Sequence, residues 1–211
     1  MQTIGYDDLV RMIRAAAGKI RAHEPELSKL DSATGDGDHG TTITKVMDVA
    51  EEATHADCGG KIAELLNKVG WDVMCVDGGA TPPLLGSFFG GMGEAAVALE
   101  RLDATAMAAL FDAGLAAMRA HTQAKPGDKT LMDALVPAIE AVRAAGGAGR
   151  SVSEGLHDAA DAAMRGALAT KQMTAKFGRA RNLGDRTIGC QDPGATSVAY
   201  IFQAFAEAVA N

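Results

Sequence analysis

Apolar residues recur along the chain at steps of three and four positions, the spacing that places them on one face of an α-helix. The first stripe is formed by Leu9, Met12, Ile13, Ala16 and Ile20. Seven later stripes occupy residues 43–50, 62–73, 84–92, 107–118, 131–142, 156–168 and 198–209. The sequence shows no sustained alternation of apolar and polar residues, the pattern of a half-buried strand. It therefore predicts an all-α protein of eight helices.

Prolines and aspartates mark the points where several of these helices begin. Pro82-Pro83, Asp128 and Asp192-Pro193 precede three of the stripes, and such residues are favoured at helix starts. Pro137 falls inside the sixth stripe. It predicts a kink there, because proline lacks the N–H group that the helical hydrogen bond needs.

One connection is long for a helical bundle. Between Met173 and Gln191 the chain has no helical stripe, and it carries a basic excess from Arg179, Arg181 and Arg186. Long connections inside compact domains are often lids or binding loops, although a solvated surface loop can have the same composition. The residues alone leave both interpretations open.

Composition and charge restrict the class of protein. The chain has 211 residues, of which 47% are apolar and 22% charged, as in ordinary globular domains. A net charge of −7 without a basic stripe argues against a nucleic-acid binder. No apolar run approaches a membrane span, and the N-terminus lacks the apolar core of a secretory signal. Cys58, Cys75 and Cys190 predict free thiols in a reducing compartment. We expect one cytoplasmic domain over residues 1–211.

The strongest chemical signal lies in residues 31–40, which read Asp-Ser-Ala-Thr-Gly-Asp-Gly-Asp-His-Gly. Asp31, Asp36 and Asp38 repel one another in a tight loop, and a divalent cation bound by hard oxygen ligands is the usual compensation. The alternating glycines let the loop fold closely around such an ion. A solvated acidic turn at a helix N-terminus is the alternative.

Other named motifs overlap this loop but lack their context. Gly35, Gly37 and Gly40 match G-x-G-x-x-G, yet no apolar strand precedes them as in a dinucleotide-binding unit. An EF-hand beginning at Asp36 requires a glycine where Thr41 stands. What remains is a carboxylate loop suited to Mg²⁺.

Three further polar segments, marked by glycine or proline, precede predicted helices. The first of them leaves backbone N–H groups free for a phosphate, although each segment alone could be a simple helix cap. They are Asp77 to Pro82, Lys125 to Thr130 and Gln191 to Ser197. The second resembles the end of a Walker loop, but Thr122 holds the position of the required first glycine.

Antiparallel helices bring every second loop to the same end of a bundle. The loops that precede the second, fourth, sixth and eighth helices are residues 31–40, 77–82, 121–130 and 173–194. We therefore expect one composite site. Its aspartates could hold one or two Mg²⁺ ions, and Arg179 could clamp a phosphate. His39 is either a packed neutral side chain or a phosphate contact.

Four segments in this order resemble the L subunit of dihydroxyacetone kinases, and the resemblance covers essentially the whole chain. They are Leu30-Asp31 with Gly35 to Gly40, Gly78-Gly79-Ala80, Lys125 to Thr130, and Gly189 to Ser197. The resemblance implies an eight-helix antiparallel barrel that binds an Mg-nucleotide, with ADP or ATP, at one end. It implies that two Mg²⁺ ions are held by Asp31, Asp36 and Asp38. The nucleotide contacts that it implies are His39, Gly40, Thr41, Thr42, Ala80, Thr81, Thr122, Leu131, Arg179, Asp192, Pro193 and Gly194.

The chain departs from familiar members of this family at four positions. Thr42, Thr122 and Cys190 stand where Asn, Gly and His are expected, and Pro82 replaces a glycine. None of these positions is one of the implied metal ligands.

The same resemblance implies that the chain is half of an enzyme. In this family the ketone binds covalently to a histidine of a separate K subunit, so Arg179 is the one candidate catalytic residue of this chain. The phosphoryl donor is either ATP or a phosphocarrier of the phosphotransferase system, the M subunit, and a transcriptional regulator is a further possible partner. A regulatory Mg-nucleotide module, the nucleotide domain of a fatty-acid-kinase-like system and a stand-alone phosphatase are the alternatives.

Overall fold

The computed structural model describes residues 1–210, and the prediction of an all-α fold is confirmed. Its α-helices are α1 Tyr6–Ser32, α2 His39–Ala53, α3 Ile62–Met74, α4 Thr81–Ala95, α5 Ala104–Arg119, α6 Met132–Gly147, α7 Val152–Ala169 and α8 Pro193–Val209. Within the described residues the one extended pairing is an isolated antiparallel bridge between Ile4 and Leu102. None of the helices described is both long enough and apolar enough to cross a membrane.

The helices form a closed ring. Each helix packs against the next along the chain, and α8 packs back against α1. Buried apolar side chains from all eight helices fill the interior, among them Met12, Ile43, Leu65 and Phe111. These residues lie on the predicted stripes, because the face of each helix that repeats every 3.6 residues is the face turned toward the ring.

Glycines allow α3 and α4 to approach one another closely. A Cβ atom on Gly70 would lie 2.5 Å from the backbone nitrogen of Gly90, and one on Gly86 would lie 2.8 Å from Cβ of Met74. Any larger residue at either position would push the two helices apart. This contact helps to position α4, whose start forms part of one end of the ring.

The start of α6 differs from the prediction. Asp128 was expected to begin the helix, but α6 begins at Met132. Asp128 is instead buried, and its carboxylate accepts a hydrogen bond from the N–H of Lys125 at 3.0 Å. Lys129, which follows it, has a positive φ of 60°, so the backbone cannot enter the α-helix there.

The long connection after α7 also differs from the prediction. Between Met173 and Gln191, where no helical stripe was found, it contains one 3-10 segment, Arg179–Thr187, interrupted at Gly184, and a shorter one, Thr170–Gln172, precedes it. Short 3-10 turns need no apolar stripe, because they are too short to bury a face of their own. We call residues 171–189 the lid segment.

Two smaller expectations concern individual residues. Leu168 was assigned to the apolar stripe of α7 but is 47% exposed. Steps of exactly four residues drift around a helix with 3.6 residues per turn, so three such steps from Leu156 carry Leu168 off the core face. Pro137 lies inside α6, which continues to Gly147, and the bend expected there stays a prediction.

The two ends of the ring have different roles. The loops before α2, α4, α6 and α8 meet at one end, as predicted. At the opposite end, the start of the chain contacts the α4–α5 connection and the first turn of α7: Ile4 pairs with Leu102, and Met1 O accepts a hydrogen bond from the N–H of Ser153. Because α1 begins and α8 ends at this opposite end, neither the start of α1 nor the end of α8 covers the end where the four loops meet.

Candidate functional site

A cavity of about 380 Å³ opens where the four loops meet. Its walls come from the acidic loop, the start of α4, the α5–α6 connection, the lid segment and the start of α8. The residues that line it include Asp31, Gly35, Asp36, Asp38, His39, Thr42, Ala80, Thr81, Leu84, Thr122, Lys129, Leu131, Met132, Phe177, Arg179, Asp192, Pro193 and Gly194.

Three carboxylates converge on one side of this cavity. Asp31 lies in the last turn of α1, and Asp36 and Asp38 lie in the loop before α2. Each offers an oxygen atom, and the three oxygens lie within 4.8 Å of one another. Oδ2 of Asp31 also accepts a hydrogen bond from the backbone N–H of His39 at 3.2 Å, which fixes its orientation.

The position of Asp38 bears on the alternative of a simple acidic helix cap. Asp38 occupies the N-cap position of α2, where an aspartate normally accepts a hydrogen bond from the first turn. Its side chain makes no such bond. The carboxylate is turned toward Asp31 and Asp36 instead, which is the arrangement expected of a cation site.

Gly35 allows the loop to fold against Asp31. The N–H of Gly35 donates to the backbone oxygen of Asp31 at 2.6 Å. A Cβ atom on Gly35 would lie 2.4 Å from Oδ1 of Asp31, so only glycine leaves that carboxylate where it is. Gly37 has a φ of 81°, a left-handed conformation that favours glycine.

The lid segment supplies a positive charge to this acidic loop. The guanidinium of Arg179 forms a close ion pair with Asp36 and lies 3.7 Å from the carboxylate of Asp38. All three side chains are well exposed, so solvent screens the attraction and its contribution to stability is small. Its significance is positional, because it shows that Arg179 reaches the carboxylates from across the cavity.

Helix starts form the remaining polar walls. Asp192 caps α8, since Oδ2 accepts the N–H of Ala195 at 2.7 Å, and this confirms the predicted helix start. Thr81 begins α4 and is followed by two prolines that have no N–H group. The backbone and hydroxyl of Thr81 and the backbone of Gly194 therefore lie at positive helix ends, which suit an anion.

The cavity also has an apolar side, formed by Leu84, Leu131, Met132 and Phe177. Phe177 belongs to the lid segment and the other three to α4 and the start of α6. A cavity with one carboxylate-lined side and one apolar side fits a ligand that has an anionic end, where a cation can bridge, and a flat hydrophobic end.

Burial changes the proton affinity of groups in these walls. Burial raises the pKa of Asp192 to about 7, and the nearby carboxylate of Asp133 acts in the same direction. Burial lowers the pKa of His39 and that of Lys129. His39 is therefore a neutral imidazole at neutral pH, and its Nε2 lies 3.1 Å from Oγ of Ser197, which joins α2 to α8.

The structure brings all three expected metal ligands to the cavity, and all but two of the expected nucleotide contacts. The exceptions are Gly40 and Thr41, which face α1. A Cβ atom on Gly40 would lie 2.3 Å from the backbone oxygen of Glu24, and the hydroxyl of Thr41 donates to Oε1 of Glu24 at 3.3 Å. In this structure both serve the packing of α2 on α1.

Some cavity residues were not singled out from the sequence. Gly35 was part of the acidic loop but was given no role of its own, and its packing against Asp31 depends on the folded turn. Phe177 and Lys129 were also missed. The signal available for Lys129 was the Gly-Asp-Lys-Thr run, which looked like an incomplete phosphate loop.

Comparison with known proteins gives consistent relatives. The sequence is 36% identical over 190 residues to the PEP-dependent dihydroxyacetone kinase, ADP-binding subunit DhaL, of Escherichia coli (strain K12), covering 90% of each chain. It is 35% identical over 192 residues to the PTS-dependent dihydroxyacetone kinase, ADP-binding subunit DhaL, of Lactococcus lactis, covering 91% of this chain and 92% of that one. It is also 32% identical to the D-erythrulose kinase of Mycolicibacterium smegmatis, covering 95% of this chain but 35% of that longer protein.

A solved structure shows the same fold. The dihydroxyacetone kinase from C. freundii in complex with AMP-PNP and Mg²⁺ superimposes with a TM-score of 0.74 at 26% identity, covering 94% of this chain and 33% of that one. Residues 33–207 match the family defined by the DAK2 domain. The chain therefore belongs to the DAK2-domain family.

Proposed function

We propose that the chain binds Mg²⁺ and a nucleotide in this cavity and is the nucleotide-binding subunit of a dihydroxyacetone-type ketose kinase. In that role it transfers a phosphoryl group to a short ketose held on a separate K subunit. The observation that carries the proposal is the convergence of Asp31, Asp36 and Asp38 within 4.8 Å on one side of the cavity. The relatives named as ADP-binding subunits support it, as does the related kinase that holds AMP-PNP and Mg²⁺.

The donor set fits the ion. Carboxylate oxygens are the ligands that Mg²⁺ prefers, and Asp38 makes no capping bond that would have to be broken. Bound there, Mg²⁺ neutralises charge on the phosphate oxygens. Asp31, Asp36 and Asp38 would hold it, and the proposal includes two ions.

The other residues bind and orient the nucleotide. Thr81 and Gly194 present donors at positive helix ends to its phosphates, and Leu131 and Phe177 offer apolar surface to its base. Arg179 reaches the transferring phosphate from the lid segment and stabilises the charge that develops on it. His39 holds α2 and α8 together through Ser197, which keeps two of the walls in register.

The proposal extends to the phosphoryl donor and partners. The relatives that match over nine tenths of their length are named as PEP- or PTS-dependent. We therefore place this chain with the type in which ADP stays bound and a phosphocarrier of the phosphotransferase system supplies the phosphoryl group. A transcriptional regulator is a further proposed partner, and the cytoplasm is the proposed compartment.

Calorimetry tests the binding site. Titration of ADP should show binding in the presence of Mg²⁺ that disappears when EDTA is added. The Asp38→Asn variant should lose binding, whereas Asp161→Asn, an exposed carboxylate on α7, should retain it. Tight nucleotide binding that is indifferent to metal would contradict the proposal.

Reconstitution tests the division of labour and the donor. The isolated chain should phosphorylate no ketose, and addition of a K subunit with a phosphocarrier should produce sustained turnover. Sustained turnover with ATP alone would instead assign the ATP-dependent type. Phosphorylation of dihydroxyacetone by the isolated chain would show that the half-enzyme interpretation is wrong.

A further inference from the structure

Lys129 is a buried lysine that binds backbone rather than a carboxylate. Its residue exposure is 3%, and its Nζ donates to the backbone oxygen of Thr170 at 2.6 Å and to that of Cys190 at 2.5 Å. These two residues immediately flank the lid segment. One ammonium group on the α5–α6 connection therefore holds both ends of a long loop that comes later in the chain.

Two hydrogen bonds donated by backbone N–H groups also join the two ends of the lid segment. The N–H of Gly189 donates to the oxygen of Lys171 at 2.7 Å, and the N–H of Asp192 donates to Oγ1 of Thr170 at 2.9 Å. Lys129, in the α5–α6 connection, contacts the residues on either side of these joined ends. The lid segment is thus a loop with joined ends, and Lys129 joins those ends to the rest of the protein.

The neighbouring residue provides a second attachment further along the lid segment. Lys176 donates from Nζ to Oδ1 of the buried Asp128 at 2.7 Å and to the oxygen of Gly127 at 3.2 Å. Its backbone N–H also donates to the oxygen of Asp128 at 3.1 Å. Asp128 and Lys129 are adjacent in sequence, so a single turn of the α5–α6 connection fixes both residues that flank the lid segment and one residue within it.

The local backbone is shaped for this contact. Lys129 is the one non-glycine residue with a positive φ among residues 1–210, and lysine is not a residue that adopts this conformation easily. Burying its ammonium group is also unfavourable unless its N–H donors find acceptors. The two carbonyl oxygens at these distances are such acceptors. The unfavourable φ and the burial of the ammonium group thus accompany a contact that fixes the lid segment.

We propose that Lys129 is a positioning residue, which fixes the lid segment so that Arg179 is held over the carboxylate loop. This assigns a role to the Gly-Asp-Lys-Thr run different from the phosphate contact of a Walker loop. The effect on phosphoryl transfer rests on the proposed function, whereas the effect on the lid segment does not.

Hydrogen exchange on the free chain tests the structural part. In Lys129→Met the side chain keeps its length but cannot donate, so amides of residues 174–189 should exchange at least roughly tenfold faster. Lys129→Arg should restore much of the protection, because a guanidinium can also donate to two carbonyls. The matched control is Lys171→Met. Lys171 is an exposed lysine at the start of the lid segment, so this variant should leave the exchange unchanged.

Two results would overturn the proposal. One is unchanged exchange of the lid segment in Lys129→Met. The other is an equal rise in all eight helices, because it would mean general destabilisation rather than release of one segment. If Lys129→Met does not fold, Lys176→Met removes the second attachment from an exposed side chain. It should then speed exchange around residues 174–180, and protection equal to wild type there would also overturn the proposal.

Kinetics of the reconstituted kinase test the functional part. Lys129→Met should lower kcat by on the order of tenfold to a hundredfold, because Arg179 is then misplaced. The nucleotide KM should change by less than about threefold, and the change should add little in an Arg179→Ala background. A raised nucleotide KM with unchanged kcat would make Lys129 a phosphate contact and the proposal wrong. An inactive wild-type complex would count against the proposed function alone, since hydrogen exchange decides the attachment.

Discussion

Replacing Asp192 by asparagine should change how stability depends on pH. Asparagine can still accept the N–H of Ala195, so the cap of α8 is retained while the ionisable group is removed. Burial raises the pKa of Asp192 from an ordinary 3.8 to about 7 in the folded protein. The folded state therefore binds this proton more tightly than the unfolded state, whose aspartate pKa is about 3.9.

The sign and size follow from this difference. Below about pH 4 the carboxyl is protonated in both states, and its contribution to stability is fully present. As the pH rises toward 7 the unfolded state loses the proton first, so the free energy of unfolding falls relative to that of the variant. A pKa difference of about three units corresponds to about 4 kcal/mol in the free energy of unfolding. Because Asp192 is only half-buried, solvent reduces the effect, and we expect about 2–4 kcal/mol.

Urea unfolding at a series of pH values, with EDTA present and nucleotide absent, measures the effect. The wild-type free energy of unfolding minus that of Asp192→Asn should fall by about 2–4 kcal/mol between pH 4 and pH 8. Asp103→Asn is the matched control, because Asp103 caps α5 in the same way but is exposed. Parallel curves for wild type and Asp192→Asn would refute the reasoning, as would an equal divergence for the control.

Three further predictions concern the acidic loop and the lid segment. Mg-ADP at a hundred times its Kd should stabilise the wild type by about 2.7 kcal/mol, seen as a rise in Tm, and Asp38→Asn should show no rise. Gly35→Ala should weaken Mg²⁺ binding roughly tenfold to a hundredfold by displacing the Asp31 carboxylate, while Gly18→Ala, which meets no atom within 4 Å, should leave binding measured by calorimetry intact. Arg179→Ala should lower kcat of the reconstituted kinase by on the order of a hundredfold and weaken ADP binding by less than about tenfold; the reverse pattern would make the arginine a ground-state contact.

The helices and their directions were predictable, because the apolar stripes directly express the period of a buried helical face. Once alternate loops were assigned to one end, the composite cavity followed from the antiparallel arrangement alone. The acidic loop was visible for a different reason. Three carboxylates within eight residues require compensation whatever the surrounding fold.

What the sequence concealed depends on contacts between distant residues. Asp128 looked like a helix cap, but its partner Lys176 is 48 positions away, and no local pattern indicates that pairing. The same holds for Lys129 and the two carbonyl oxygens that flank the lid segment. The packing of Gly40 against α1 was also not visible in the sequence, and its contact with the nucleotide stays a prediction.

The even number of helices has a practical consequence for handling the protein. Because α1 begins and α8 ends at the end away from the cavity, a tag, a surface tether or a fused domain attached at either terminus would not obstruct the mouth. The start of α1 lies about 37 Å along that helix from Asp31, and the end of α8 lies about 25 Å along its helix from the cavity. Immobilised protein should therefore present its cavity outward, open to a partner in solution.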